Sequence, residues 1–257
     1  MKETLYTIPL NDAFNAHDEC PFCNIERKLE QDALDFILGS SSAYMQTDIR
    51  EQTNKLGFCR QHYKDMFQYG NSLGNAIMLK SYYQELNKNL QKKLSGSSPA
   101  KPSVISIFKQ SKSEEDTSDN NSVSSWINKC SNECFVCKKQ QETYKRYIEN
   151  FFYLIESDEE FYDIMKHSNG FCLPHFAEIM NLAPKKLSGR KLEDFHKDVT
   201  SLMAENMNRV QEDLNWFVDK FDYRNHDADW KNSKDAVQRA MQKLTGGYPA
   251  DTYYKSK

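Results

Sequence analysis

Six cysteines and two histidines fall into two copies of one pattern. Cys20-x-x-Cys23 is followed by Gly57-Phe58-Cys59-x-x-His62, and Cys134-x-x-Cys137 by Gly170-Phe171-Cys172-x-x-His175. The intervals are matched as well, with 35 residues between Cys23 and Cys59 and 34 between Cys137 and Cys172. Three thiolates and one imidazole make a closed tetrahedral donor set of the kind that holds structural zinc, whereas catalytic zinc keeps a position open for water. Cys-x-x-Cys turns two sulfurs toward one ion, and a helix beginning there lends free amides and its positive dipole end to the thiolates. In Gly-Phe-Cys-x-x-His, glycine permits the turn and the three-residue step puts cysteine and histidine on one side of the next helix.

These donors need elements to carry them, and the periodicity supplies helices. Ile25, Leu29, Ala33, Phe36 and Ile37 form an apolar stripe after Cys23, and Tyr147, Ile148, Phe151, Phe152 and Ile155 form one after Cys137. A polar helix over about 47–56 leads to Gly57, and the next helix, from near Cys59, puts Tyr63, Met66 and Phe67 on one side. Further helices are predicted over about 73–94, 191–221 and 233–244, the last with Asp229 or Ser233 as its cap. The fold class is all-α: two tandem pseudo-repeat helical units, 1–94 and 130–257, each stapled by its own Cys3His site. Pairing within each unit is preferred, and a swapped pairing stays open. Between them, 95–129 reads as a disordered polar linker with one apolar island, Val104–Phe108, expected to dock on its own protein, the alternative being a strand added to a partner.

With 257 residues, 39% of them apolar and 28% charged, the chain can bury a sizeable core. No run is long and apolar enough for a membrane span, and the opening Met1-Lys2-Glu3-Thr4-Leu5 lacks the apolar stretch of a secretion signal, so the expected compartment is the cytoplasm. A reducing cytosol turns clustered cysteines toward metal or redox chemistry. A net charge of −3 argues against a general grip on nucleic acid. Two zinc ions are the expected cofactors. An iron–sulfur cluster on a Cys3His set is the alternative, and a redox pair at Cys20-Pro21-Phe22-Cys23 lacks the surrounding strand–helix–strand pattern. Cys130 is left over, as a free thiol with no task or as a spare ligand or resolving thiol.

One further cluster could do chemistry. Asp222, Tyr223, Arg224, Asn225, His226 and Asp227 lie together between two predicted helices, before Trp230. Arg224 could pair with Asp222 or Asp227; alternatively Arg224 holds an anion while His226 and Asp227 move protons. The motifs of phosphate-binding loops, dinucleotide folds and zinc peptidases are absent. The duplicated Cys-x-x-Cys and Gly-Phe-Cys-x-x-His motifs, together with the ending from Phe221-Asp222-Tyr223-Arg224-Asn225 through Trp230 to Lys234-Asp235-Ala236, resemble an uncharacterised bacterial protein family of unknown function. That resemblance implies a bacterial cytosolic setting and no established activity. The leading expectation is a binding or adaptor protein with a protein partner and two structural zinc sites. The competing one is an enzyme or a redox or metal sensor using the 222–230 loop or an iron–sulfur cluster.

Overall fold

A computed structural model describes residues 7–95 and 123–255. They form eleven α-helices and, among the described residues, no strand. No helix among them is long and apolar enough to cross a membrane. The Val104–Phe108 island and most of the expected linker lie outside the described residues, but 123–129, placed in the linker by composition, belongs to a helix.

The molecule divides into two compact units that are not the tandem halves expected from the repeat. One comprises residues 1–31 and 140–252, the other 32–139 and 253–257. The chain passes from the first to the second within helix α2, Pro21–Leu38, and returns within α7, Phe135–Ser157. At 1.5 Å per residue, the 18 residues of α2 span about 27 Å, so the chain that leaves Cys23 is delivered far from it. The interval between motifs is therefore spent on a long helix, not on a hairpin that comes back.

The first unit contains α1 (Thr7–Asn15), α8 (Glu159–Lys166), α9 (Leu173–Lys186), α10 (Gly189–Asp219) and α11 (Ala236–Thr245), besides its shares of α2 and α7. Its core is aromatic. Phe14, Phe22, Phe151, Phe161, Phe171 and Phe195 are fully buried, and their rings meet edge-on or stacked at 5.1 to 6.3 Å. Such contacts add roughly 0.5–1.5 kcal/mol per pair beyond the area buried. Asp158 caps α8 by accepting from the Phe161 amide at 3.0 Å. The stripe of α10, through Phe195, Val199, Leu202 and Met203, is spent on this core.

The second unit contains α3 (Thr47–Leu56), α4 (Arg60–Tyr69), α5 (Ser72–Ser95) and α6 (Val123–Asn132). Its core joins Leu34, Ile37 and Leu38 of α2 to Ile49, Phe58, Met66, Met78, Phe135 and Val136. Met66 is buried as predicted, but Phe67 is 84% exposed: adjacent residues on a helix are about 100° apart, and α4 turns only its Met66 side inward.

Candidate metal centres

Each unit holds one set of three cysteines and one histidine, and in both the partners come from opposite motifs. Cys20 and Cys23 meet Cys172 and His175 in the first unit; Cys59 and His62 meet Cys134 and Cys137 in the second. Pairing of Cys20 and Cys23 with Cys59 and His62, preferred on sequence, is corrected by this geometry. The long α2 and α7 are the reason, since each carries the chain away from the Cys-x-x-Cys that starts it.

The local architecture of the two sets is the same. Cys20 and Cys134 immediately precede α2 and α7, and Cys172 and Cys59 are the N-cap residues of α9 and α4, both with extended backbone. Two helix N-termini thus face each set, with free amides and positive dipole ends toward the sulfurs. The preceding glycines have φ of +60° at Gly57 and +75° at Gly170, a left-handed backbone that ordinary residues rarely adopt. The motif phenylalanines pack across each set, Phe22 on Phe171 at 5.9 Å and Phe58 on Phe135 at 6.3 Å. In the second unit the Phe135 amide also donates to the Gly57 carbonyl at 3.0 Å, tying the two ligand-bearing turns together.

In the first set His175 Nδ1 lies 3.3, 3.6 and 3.1 Å from the sulfurs of Cys20, Cys23 and Cys172, and the Cys23 and Cys172 sulfurs are 3.7 Å apart. In the second, His62 Nδ1 lies 3.2, 3.2 and 3.4 Å from Cys59, Cys134 and Cys137, with Cys59 and Cys137 3.9 Å apart. A tetrahedral ion with ordinary zinc–sulfur and zinc–nitrogen bonds has edges of about 3.8 Å between sulfurs and about 3.6 Å between sulfur and nitrogen. These distances are close to such edges, and all four donors of each set lie within 4.8 Å of one another, so each set can surround one ion. The sulfur spacings are also far beyond the roughly 2.0 Å of a disulfide.

The surroundings differ. All four ligands of the first set are buried, whereas Cys59 is partly exposed and Cys137 exposed. Behind the first set, His175 Nε2 faces a Glu26 carboxylate oxygen at 3.4 Å. That carboxylate fixes the ring so that Nδ1 points at the sulfurs. From the other side the turn after α11 covers it, with the Gly247 amide donating to Cys23 Sγ at 3.3 Å. Lys243, only 1% exposed, anchors that helix by donating to the Glu19 carbonyl at 2.7 Å and facing the Glu19 carboxylate at 3.2 Å. Arg209 meets the same carboxylate at 2.6 Å, and Gln242 donates to Asp18 at 2.6 Å.

The donors also set one another's protonation. Hydrogen bonds from Cys20 and Cys23 hold Cys172 ionised far below the usual thiol range, and the bond to Cys172 keeps Cys23 protonated. Burial opposes charge on His175, but hydrogen bonds to Cys172, Cys20 and Glu26 outweigh it and raise its pKa to about 12. In the second set burial raises Cys134, yet its hydrogen bond to His62 and the amides of Cys137 and Cys59 bring it down to about 6. An ion entering either set competes with protons, so its affinity rises with pH.

Glu26, Lys243 and Gly247 were not singled out on sequence. Glu26 had a signal, being three residues after Cys23 and so on the same helical face. The sequence-predicted polar cluster lies elsewhere. Arg224 pairs with Asp222 at 2.6 Å, as foreseen, and the His226 ring lies 3.1 Å from Asp227, with that imidazole 84% exposed. The loop is organised from beneath by Lys220, whose ammonium donates to the carbonyls of Asn225 and His226 at 2.7 and 2.8 Å. The last helix starts at Ala236 and is capped by neither Asp229 nor Ser233; Asp235 stands at its N-cap without a side-chain bond.

A family model described as "Family of unknown function (DUF6062)" matches residues 1–251, and the chain belongs to that family. No curated protein and no solved structure matches it.

Proposed function

We propose that this member of DUF6062 binds two zinc ions, one in each donor set, and that the ions serve structure in a binding or adaptor protein of a reducing cytosol. The observation that carries the reading is that all four donors of each set lie within 4.8 Å of one another, with the imidazole nitrogen 3.1 to 3.6 Å from all three sulfurs, spacings that suit a single ion. Three sulfurs and a nitrogen complete the coordination of zinc, which supports a structural role over a catalytic one that needs a free position. The same spacing disfavours an iron–sulfur cluster, which distributes its ligands over separate irons and so holds them farther apart. A carboxylate behind the histidine and an amide on a thiolate are the supports expected around a resident ion. An enzymatic reading of the 222–230 loop gains nothing from its geometry, because His226 and Asp227 are open to water on the surface.

Elemental analysis of protein purified without oxygen should give two zinc ions per chain and no visible absorption. A brown iron–sulfur spectrum, or metal-free protein that keeps its helices and melts unchanged in a strong chelator, would overturn the reading.

A further inference from the structure

The second unit has a half-open pocket of about 440 Å³ between α3, α5 and α6 that belongs to neither donor set. Small-molecule sites run from roughly 300 to 1,000 Å³. Its walls are side chains the core does not use. The helix α6 buries none of its residues, and α5 fully buries only Gly74 and Met78. From α5, Tyr82, Glu85, Leu86 and Asn89 face the hollow at spacings of three and four, one continuous helical face. From α3 come Glu51, Asn54 and Lys55, and from α6 Trp126 and Cys130.

The lining has a defined chemical character. Glu51 and Glu85 bring two carboxylates and Lys55 one ammonium to the rim, a lining charge of −1. Burial pushes the Tyr82 phenol and the Cys130 thiol above their ordinary values, so both stay neutral and can donate hydrogen bonds. Trp126, Tyr82 and Leu86 supply aromatic and aliphatic surface, and the Asn54 carbonyl is already engaged by the Ser81 hydroxyl at 2.9 Å. Two carboxylates among apolar groups fall well short of the six to eight oxygens or so that a calcium ion takes. An aromatic face beside unbalanced carboxylates instead suits a cation that carries apolar surface of its own.

We propose that this cavity binds a small organic cation, an ammonium on an aromatic or aliphatic body, whose charge is met by Glu51 and Glu85 and whose body packs on Trp126 and Leu86. The site is distinct from the metal sets and does not depend on which ion they hold. Its walls are nonetheless well anchored, because α3 runs into the Gly57–Cys59 turn, α6 runs into Cys134, and Tyr82 closes on Gly57, where an added Cβ would lie 2.8 Å from the phenol oxygen.

Cys130, the one cysteine outside the donor sets, lines the cavity and reports on its occupancy. Full-length protein as purified would be alkylated with iodoacetamide in the presence of benzyltrimethylammonium, 2-phenylethylamine, neutral 2-phenylethanol or anionic phenylacetate, and the modified cysteines mapped by peptide mass spectrometry. The two ammonium probes should slow alkylation of Cys130, and the alcohol and carboxylate should need at least about tenfold more to do so. Glu85→Gln and Glu51→Gln, both at exposed positions, should each weaken protection by the ammonium probes roughly threefold to tenfold without moving the melting temperature. Equal protection by 2-phenylethanol, protection that survives both substitutions together, or none by either ammonium up to about 10 mM would overturn the proposal. Alkylation of the other six cysteines in the same digest reports on the donor sets, so the cavity and the metal reading fail separately.

Discussion

The two donor sets share ligand types, backbone and approach of helix ends, yet one is sealed and the other open. The first lies beneath Glu26, the Gly246–Gly247 turn and the Lys243–Glu19 anchor, with an aromatic core around it. The second leaves Cys137 exposed and Cys59 partly so. A motif thus fixes what an ion is held by, while the residues packed behind it fix how easily water, protons or a competing chelator reach it. Hydrophobic shells of this kind govern access to a metal site as much as the ligands do.

The comparison can be broken most directly by taking the two proposed zinc ions away. Zinc contributes on the order of 10–16 kcal/mol of apparent binding free energy in small domains at neutral pH, as large as or larger than a typical net stability of about 5–15 kcal/mol. Prolonged chelation should therefore collapse the helical circular dichroism signal, and restored zinc should return it. Before that end point the two ions should separate in time. Zinc release followed with a chromogenic chelator is expected to be biphasic, with the fast phase lost in Cys137→Ser and kept in Cys172→Ser. A single phase in the native protein would show that burial does not distinguish the sets.

A smaller effect sharpens the same contrast. Lys243→Ala removes the buried donor to the Glu19 carbonyl while Glu19 keeps Arg209 and Arg239, a loss of about 1–3 kcal/mol that denaturant melts should register together with faster zinc loss from the first set. Glu26→Gln should lower zinc affinity of the first set by about 10–100-fold while the second set is unchanged, as read by competition titration of each ion. Acidification should release zinc from both, since lowering the pH hands protons back to the thiolates and imidazoles that the ion must displace; dialysis at stepped pH with elemental analysis measures it. Smallest of all, Arg224→Ala on the exposed loop should leave the melting temperature and the zinc content where they are, because its ion pair with Asp222 is exposed to water and screened.

Much of this arrangement can be read from residue order. The eight donors follow from their types and spacing, and the helices that carry them follow from apolar periodicity, with 47–56 matching α3 to the residue. Other features could not be read that way. Phe67 continues an apolar run yet faces water, because periodicity identifies a stripe without saying where its edge falls. The anchoring of α11 depends on Lys243 reaching Glu19, residues 224 positions apart whose pairing leaves no trace in local composition. The cavity beside Trp126 likewise arises from three helices meeting, and 123–129 reads as linker because it follows directly on the long polar, serine-rich stretch.

The sequence by itself determined the donors, the glycine turns that present them and the helix starts that face them, since each of these is set within a few residues by backbone geometry and thiolate chemistry. Only the tertiary structure decided that Cys20 and Cys23 find Cys172 and His175, that Cys59 and His62 find Cys134 and Cys137, and that one of the resulting sets is sealed. The physical reason is the stiffness and length of α2 and α7: a helix of about 27 Å cannot bring its two ends together, so the ligands at its start are completed by whichever distant segment packs against that end.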